Sequence, residues 1–195
     1  MLDENKIKES KKRIEQMLKR NEILKEKDSR FVEFFLTNAR HSFDSARLLY
    51  DVSTKEELKK ATGFLDFNGF LWVINASYYS MFYMVRALLE SSGVKIKAEQ
   101  QSIHLVAFDA LIYYFYSNGK IEKNLIEEFQ EAGAEVQEAL GREKAKLLME
   151  DYLYEKEKRS RFTYEMGEIA LQNKANTSLE RAKRFNESLR KMMKA

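Results

Sequence analysis

FNGFLWVINASYYSMFYMVRALLESS, from Phe67 to Ser92, is the stretch of sequence that decides the fold. Its apolar residues are spread over nearly every side of a helix with 3.6 residues per turn. A helix that is apolar all round is covered by neighbours on several faces, so this stretch is predicted to be the central helix. Polar residues inside it, such as Arg86, make it too interrupted to span a bilayer.

Two polar residues near the middle of this stretch, Asn75 and Ser77, are unusual choices for a buried helix. A buried polar side chain needs a hydrogen-bond partner, because leaving it unpaired costs free energy. We therefore expect Asn75 and Ser77 to support specificity or function as well as packing.

The segments on either side of the central helix repeat apolar residues every three or four positions, which predicts further core helices. These segments cover residues 31–50, 101–116, 121–140 with 145–154, and 176–194. The segment from 121 to 154 is read as one long helix or as two that meet at Gly141. The sequence therefore predicts an all-α, up-and-down bundle of about five core helices.

Capping boxes mark two predicted helix starts. Ser53–Glu56 and Thr54–Glu57 are alternative boxes for a short helix that ends near Gly63, and Thr177–Glu180 is a box for the last core helix.

Residues 1–28 are predicted to form an extra N-terminal arm, separate from a bundle over 29–195. Most of them are Lys, Glu, Arg and Asn, with a thin apolar stripe that consists of Ile7, Ile14, Met17, Leu18 and Leu24. The stripe fits an amphipathic helix that docks on the body or on a second subunit. A merely solvated helix fits the same composition.

The composition narrows the class of protein. The 195 residues include no proline and only seven glycines, which favours long helices, and no segment alternates long enough to predict a strand. The absence of cysteine excludes disulfides and thiolate metal sites, and two histidines argue against a His-rich metal site, so no cofactor is expected.

The charged amino terminus predicts a soluble, cytoplasmic protein with no membrane segment. A net charge of only +3 means that nucleic-acid binding would need a local basic patch.

Two features of the third core helix have a functional and a structural interpretation. The aromatic run Tyr113–Tyr116 is read as a base-stacking platform or as core with an amphipathic rim. His104 is read as a structural histidine or as a member of a functional site.

The segment Val73-Ile-Asn-Ala-Ser-Tyr-Tyr-Ser-Met-Phe82, followed by Arg86-Ala-Leu-Leu89 and Gly93, resembles the signature helix of HEPN-domain proteins. It is most similar to small prokaryotic members with the pattern A-V-N-R-A-Y-Y-A-M-F. The resemblance covers about residues 31–192. It implies a HEPN-like bundle, a homodimer and a minimal nucleotidyltransferase as partner.

The resemblance also implies where the chemistry would lie. Many members are metal-independent RNA endonucleases with an Arg, four to six residues and a His, and the branch most similar to this chain often has Tyr for that His. Here the matching residues are Arg159-Ser-Arg-Phe-Thr-Tyr164. Arg159 would contact phosphate, with Tyr164 as a proton donor and Arg161 and Lys158 adding positive charge. Asn75, Ser77 and His104 would be binding or supporting residues.

Two functions follow from the resemblance and stay open at this point. The first is a ribonuclease or RNA-binding toxin of a toxin–antitoxin or defence system. The second is a non-catalytic scaffold that binds a nucleotide or a nucleotidyltransferase. A separate hypothesis is that the hydroxyl of Tyr164 accepts a nucleotide from a partner nucleotidyltransferase, as in relatives that are neutralised in this way.

Overall fold

Helices form most of the chain, which confirms the predicted all-α character at that level. The computed structural model describes residues 2–26, 30–97, 102–153 and 161–194, with the side chains of 2–26, 30–97, 102–141 and 169–194. In chain order the elements are α1 (Glu4–Lys19), β1 (Ile23–Lys25), α2 (Arg30–Thr54), α3 (Glu56–Thr62), α4 (Phe70–Ser91), β2 (Val94–Ile96), α5 (Ile103–Leu111), a π-helical turn (Ile112–Tyr116), α6 (Lys123–Leu153) and α7 (Arg161–Lys194).

Helix α4 is the centre of the fold, as the apolar pattern predicts. It packs against α2, α5, α6 and α7. Val73, Val85 and Leu89 are fully buried on it, whereas Trp72 and Tyr79 remain exposed. Burial of each large aliphatic side chain contributes about 1.5 to 3 kcal/mol, so most of the folding free energy gained by α4 comes from these contacts. One face of the helix nevertheless stays open.

The helices around α4 bury the faces that their periodicity predicts. Ala39 and Ala46 of α2 are fully buried against α4, as are Phe185 and Leu189 of α7 in the main core. Helix α6 is continuous through Gly141, so the reading as one long helix is the correct alternative.

Both predicted capping boxes are wrong, because the hydroxyl groups bond to carbonyls inside a helix instead. Ser53 Oγ donates to the carbonyl of Leu49 at 2.7 Å, and Lys55, not Ser53 or Thr54, is the N-cap of α3. Thr177 lies in the interior of α7 and donates to Asn173 at 2.9 Å, since α7 begins much earlier, at Arg161. The predicted end of α3 is confirmed at Gly63, whose φ of +78° suits a residue without Cβ.

A two-stranded antiparallel pair is present where no strand was expected. β1 pairs with β2 in the register Ile23↔Ile96, Leu24↔Lys95 and Lys25↔Val94. Each strand has only three residues, which is too short to show an alternating pattern. Leu24 therefore lies in a strand and not on the apolar stripe of the arm helix.

The N-terminal arm packs on the body of the protein. Ile14 of α1 is fully buried, and Leu2 is 2% exposed. Asp109 of α5, itself 1% exposed, accepts hydrogen bonds from Ser10 Oγ at 2.6 Å and from Arg13 Nε at 2.6 Å. A second bond from Arg13 Nη2 at 2.9 Å makes the ion pair bidentate. The division into an arm over 1–28 and a bundle over 29–195 stays a prediction.

Candidate functional site

Only part of the Arg–Tyr motif lies within the described residues. Lys158 and Arg159 fall outside the described residues, whereas Arg161 begins α7 and Tyr164 follows in its first turn. The side chains of Arg161 and Tyr164 also lie outside the described part of the chain. The roles of these four residues therefore stay predictions.

Asn75 and Ser77 do not form one site. Residues two apart on a helix point about 200° away from each other, so the two side chains lie on opposite sides of α4. Ser77 is 1% exposed and Asn75 is half-buried, and neither Ser77 Oγ nor Asn75 Oδ1 has a hydrogen-bond partner among the described residues. The partners that the sequence led us to expect are not found there.

The polar side chain that does connect helices across α4 is Ser80. Its hydroxyl donates to the carbonyl of Ala39 at 2.7 Å and accepts from Asn186 Nδ2 at 2.6 Å. One buried serine thus links α2, α4 and α7. Sequence reasoning missed this role, although a serine inside an apolar helix is itself a signal.

The structure brings His104 onto α4. Nδ1 of His104 lies 2.9 Å from the hydroxyl of Tyr78, and the two rings stack at 5.5 Å with an interplanar angle of 27°. The ring of Phe82 lies 4.1 Å from the imidazole. On its other side, Tyr78 stacks on Phe129 of α6 at 5.8 Å. His104 is therefore held by aromatic contacts and by one hydrogen bond.

The environment of this pair favours its neutral form. Burial raises the pKa of Tyr78 to about 12, so its phenol keeps its proton at neutral pH, and this phenol can either donate a hydrogen bond to Nδ1 of His104 or accept one from it, depending on the tautomer of the imidazole. Burial, with a smaller contribution from the charge of Arg86, lowers the pKa of His104. A neutral imidazole that accepts at Nδ1 carries its own proton on Nε2. In this tautomer His104 is a hydrogen-bond donor and cannot act as a base through Nε2.

Arg86 is a buried cation with a structural role. It is 7% exposed and donates to the carbonyl of Ile96 in β2 at 3.2 Å. Its guanidinium lies 4.6 Å from the ring centroid of Phe35 and 4.0 Å from a carboxylate oxygen of Glu90. These contacts join α2, α4 and β2 near the imidazole of His104.

One side of α4, called the open face below, exposes the rings of Trp72 and Tyr79. Trp72 is 56% exposed and Tyr79 is 39% exposed. The half-buried residues Asn75 and Tyr83 lie on the same side of the helix, because the four positions recur three or four apart. The imidazole of His104 meets the ring of Tyr79 edge-on at 5.6 Å. Exposed rings beside an imidazole can stack on and hydrogen-bond to a planar ligand such as a nucleic-acid base.

The aromatic run on the third core helix belongs to the core and its rim. Phe115 is 6% exposed, while Tyr113, Tyr114 and Tyr116 are half-buried and pack against the main core. Of the two interpretations of this run, the structural one fits the geometry.

The described part of the chain contains neither a cluster of metal ligands nor a membrane-spanning helix. No three side chains of His, Cys, Asp or Glu gather there as a metal site would require. The described helices also include none with the length and apolar character needed to cross a bilayer.

The comparisons with known proteins give no relative. The chain matches no protein-family model, no curated protein and no solved structure.

Proposed function

We propose that this chain is a HEPN-like, cytoplasmic homodimer that binds RNA and cleaves it without a metal ion, as the toxin of a toxin–antitoxin or defence system. The observation that carries the proposal is the position of the segment Val73–Phe82. This segment, on which the resemblance rests, lies in the helix at the centre of the bundle, and that helix exposes aromatic rings beside the imidazole of His104.

The open face supplies the binding part of this proposal. Trp72 and Tyr79 offer rings on which unpaired bases stack, an interaction worth about 1 to 3 kcal/mol per base. His104 donates from Nε2 to a base carbonyl or a phosphate oxygen. In the tautomer that accepts from Tyr78 at Nδ1, His104 has a role in binding and not in proton abstraction.

The Arg–Tyr motif supplies the chemistry. In metal-free cleavage the 2′-hydroxyl attacks the adjacent phosphorus, and the bond to the 5′-oxygen breaks to leave a cyclic phosphate. Arg159 and Arg161 neutralise the phosphate, with Lys158 adding positive charge. The phenol of Tyr164 gives its proton to the leaving 5′-oxygen, and the proton of the 2′-hydroxyl passes to solvent.

Cleavage of labelled single-stranded RNA in the presence of EDTA tests the proposal. We expect the wild type to cleave and Arg159→Ala to lose most of the activity. Arg190→Ala is the matched control, because Arg190 is an exposed arginine of α7 and lies outside the motif. Tyr79→Leu should weaken RNA binding, whereas Phe64→Leu, at an exposed ring outside the open face, should not. Equal cleavage by wild type and Arg159→Ala would contradict the assignment of the motif.

The second candidate function is a non-catalytic scaffold for a nucleotidyltransferase, and the apolar character of the open face favours it. Exposed rings such as Trp72 and Tyr79 are frequent in protein interfaces. This candidate predicts no RNA cleavage and co-purification with the nucleotidyltransferase. The separate hypothesis of nucleotidylation predicts a mass increase on Tyr164 when that enzyme and ATP are present. Loss of co-purification in Trp72→Ala, with Phe64→Ala as control, would assign the interface to the open face.

A further inference from the structure

A cavity of about 400 Å³ lies on the side of the molecule where β1, β2 and the π-helical turn meet. Its walls come from three separate parts of the chain. Lys25 ends β1, Ser92 and Val94 follow α4, and Tyr114, Phe115 and Lys120 come from the π-helical turn and the loop after it. A cavity of this volume is within the range that small-molecule sites occupy. None of the roles proposed above uses this cavity.

The charges around the cavity favour an anion. Lys25 and Lys120 line it, and neither forms an ion pair with a carboxylate of the described residues. Glu26 also lines the cavity, but its carboxylate lies 3.5 Å from the ammonium of Lys95 and is largely compensated. The two lysines therefore leave a net positive field at the cavity.

Tyr114 lines the cavity, but its hydroxyl is buried without a hydrogen-bond partner in the described part of the chain. Because this oxygen has almost no solvent-accessible area, a molecule in the cavity meets the ring of Tyr114 and not its hydroxyl. Tyr114 therefore contributes apolar surface to the cavity wall.

The π-helical turn creates this arrangement. The amide of Ser117 donates to the carbonyl of Ile112 at 2.9 Å, five positions back, instead of four as in an α-helix. The turn continues into a loop in which the amide of Lys120 bonds to the carbonyl of Phe115 at 2.9 Å, and the side chain of Asn118 bonds to the carbonyl of Tyr114 at 3.0 Å. Single π-helical turns inside helices are frequent at functional sites.

We propose that this cavity binds a small organic molecule that carries a phosphate or carboxylate group. Lys25 and Lys120 contact the anionic group, and Val94, Phe115 and the ring of Tyr114 pack against the apolar part of the ligand. The ligand contacts both the strand after the arm helix and the loop after the π-helical turn, so it ties the arm to the bundle. The site does not depend on the RNA-related function proposed above.

Calorimetric titration of the full chain with phenyl phosphate and with benzoate tests the site. Both probes combine an aromatic ring with an anionic group, and benzyl alcohol is the neutral control. We expect saturable binding of at least one anion and none of benzyl alcohol. The anion that binds more tightly identifies the preferred group. Failure of both anions to bind saturably would overturn the proposal.

Variants separate this cavity from non-specific binding. The double change Lys25→Gln with Lys120→Gln should weaken anion binding at least tenfold, whereas Lys183→Gln, at an exposed lysine of α7, should leave it unchanged. Anion binding that the double change leaves at the wild-type level would place the ligand elsewhere and overturn the proposal.

Discussion

Nδ1 of His104 and the hydroxyl of Tyr78 share a hydrogen bond of 2.9 Å, although the two residues lie 26 positions apart in the sequence. This bond positions the first turn of α5 against α4, and its direction determines which nitrogen of the imidazole carries the proton. The binding role proposed for His104 depends on it, because only the Nε2–H tautomer can donate to a ligand.

Tyr78→Phe should remove this bond, so that His104 can adopt either tautomer. We expect a loss of about 1 kcal/mol in the free energy of unfolding, since the ring stays and only one hydrogen bond is removed. The nitrogen chemical shifts of His104 should move towards a mixture of both tautomers. Tyr79→Phe is the matched control, because Tyr79 is an exposed neighbour with no hydrogen bond of its own to His104. Identical nitrogen shifts in the two variants would contradict the assignment.

His104 should make stability depend on pH below about 6.5. Its pKa is lowered in the folded state, so between that value and 6.5 the unfolded chain binds a proton that the folded chain does not. The stabilisation is therefore complete above 6.5 and is lost as the pH falls towards the lowered pKa.

Urea unfolding at several pH values measures this dependence. Wild type should lose more stability between pH 7.5 and 5.5 than His104→Gln. His41→Gln, at an exposed position of α2, should lose as much stability over this pH range as the wild type. An equal loss of stability in all three proteins would show that His104 does not contribute to the pH dependence.

Arg13→Ala should destabilise the docking of the arm helix. The change leaves the carboxylate of Asp109, which is 1% exposed, with Ser10 as its remaining donor. Removal of one partner from a fully buried pair costs about 3 to 5 kcal/mol, and the side chain of Arg13 is 40% exposed, so we expect about 2 kcal/mol. Urea unfolding measures the loss, and Lys12→Ala on the exposed side of α1 is the control. Equal free energies of unfolding for the wild type and Arg13→Ala would mean that water replaces the arginine at no cost.

Two glycines of α6 should respond differently to alanine. At Gly141 an added Cβ meets no atom within 4 Å, so Gly141→Ala should stabilise the protein by about 1 kcal/mol through helix propensity. At Gly133 the Cβ would lie 3.4 Å from Cε2 of Tyr78, whose ring is held by its neighbours. Gly133→Ala should therefore stabilise the protein less than Gly141→Ala does, as measured by the melting temperature in thermal unfolding. An equal rise in melting temperature for the two variants would show that the ring of Tyr78 can move.

The helices were predictable because their buried faces repeat in the sequence with the period of the helix itself. Val85 and Ala39 are fully buried where the pattern expects core positions, and α4 differs from its predicted bounds by only a few residues. Such periodicity is a local property, so one sequence is sufficient to detect it.

The features that escaped prediction depend on residues that are distant in the chain. Asp109 meets Arg13 and His104 meets Tyr78 only after the helices have packed. Hydroxyl groups have a choice of partners, and Ser53 bonds to Leu49 rather than capping α3. The Arg159–Tyr164 motif came from a resemblance, and its geometry remains to be tested by the cleavage assay.

The docking of the arm has a consequence for biosynthesis. Ser10 bonds to a residue 99 positions later, so the ribosome must make α2, α4 and most of α5 before the arm can reach its partner. At about 5 to 20 residues per second, the nascent chain carries the apolar side of α1 unprotected for roughly 5 to 20 seconds. During this interval the arm is a target for chaperones that recognise exposed apolar helices.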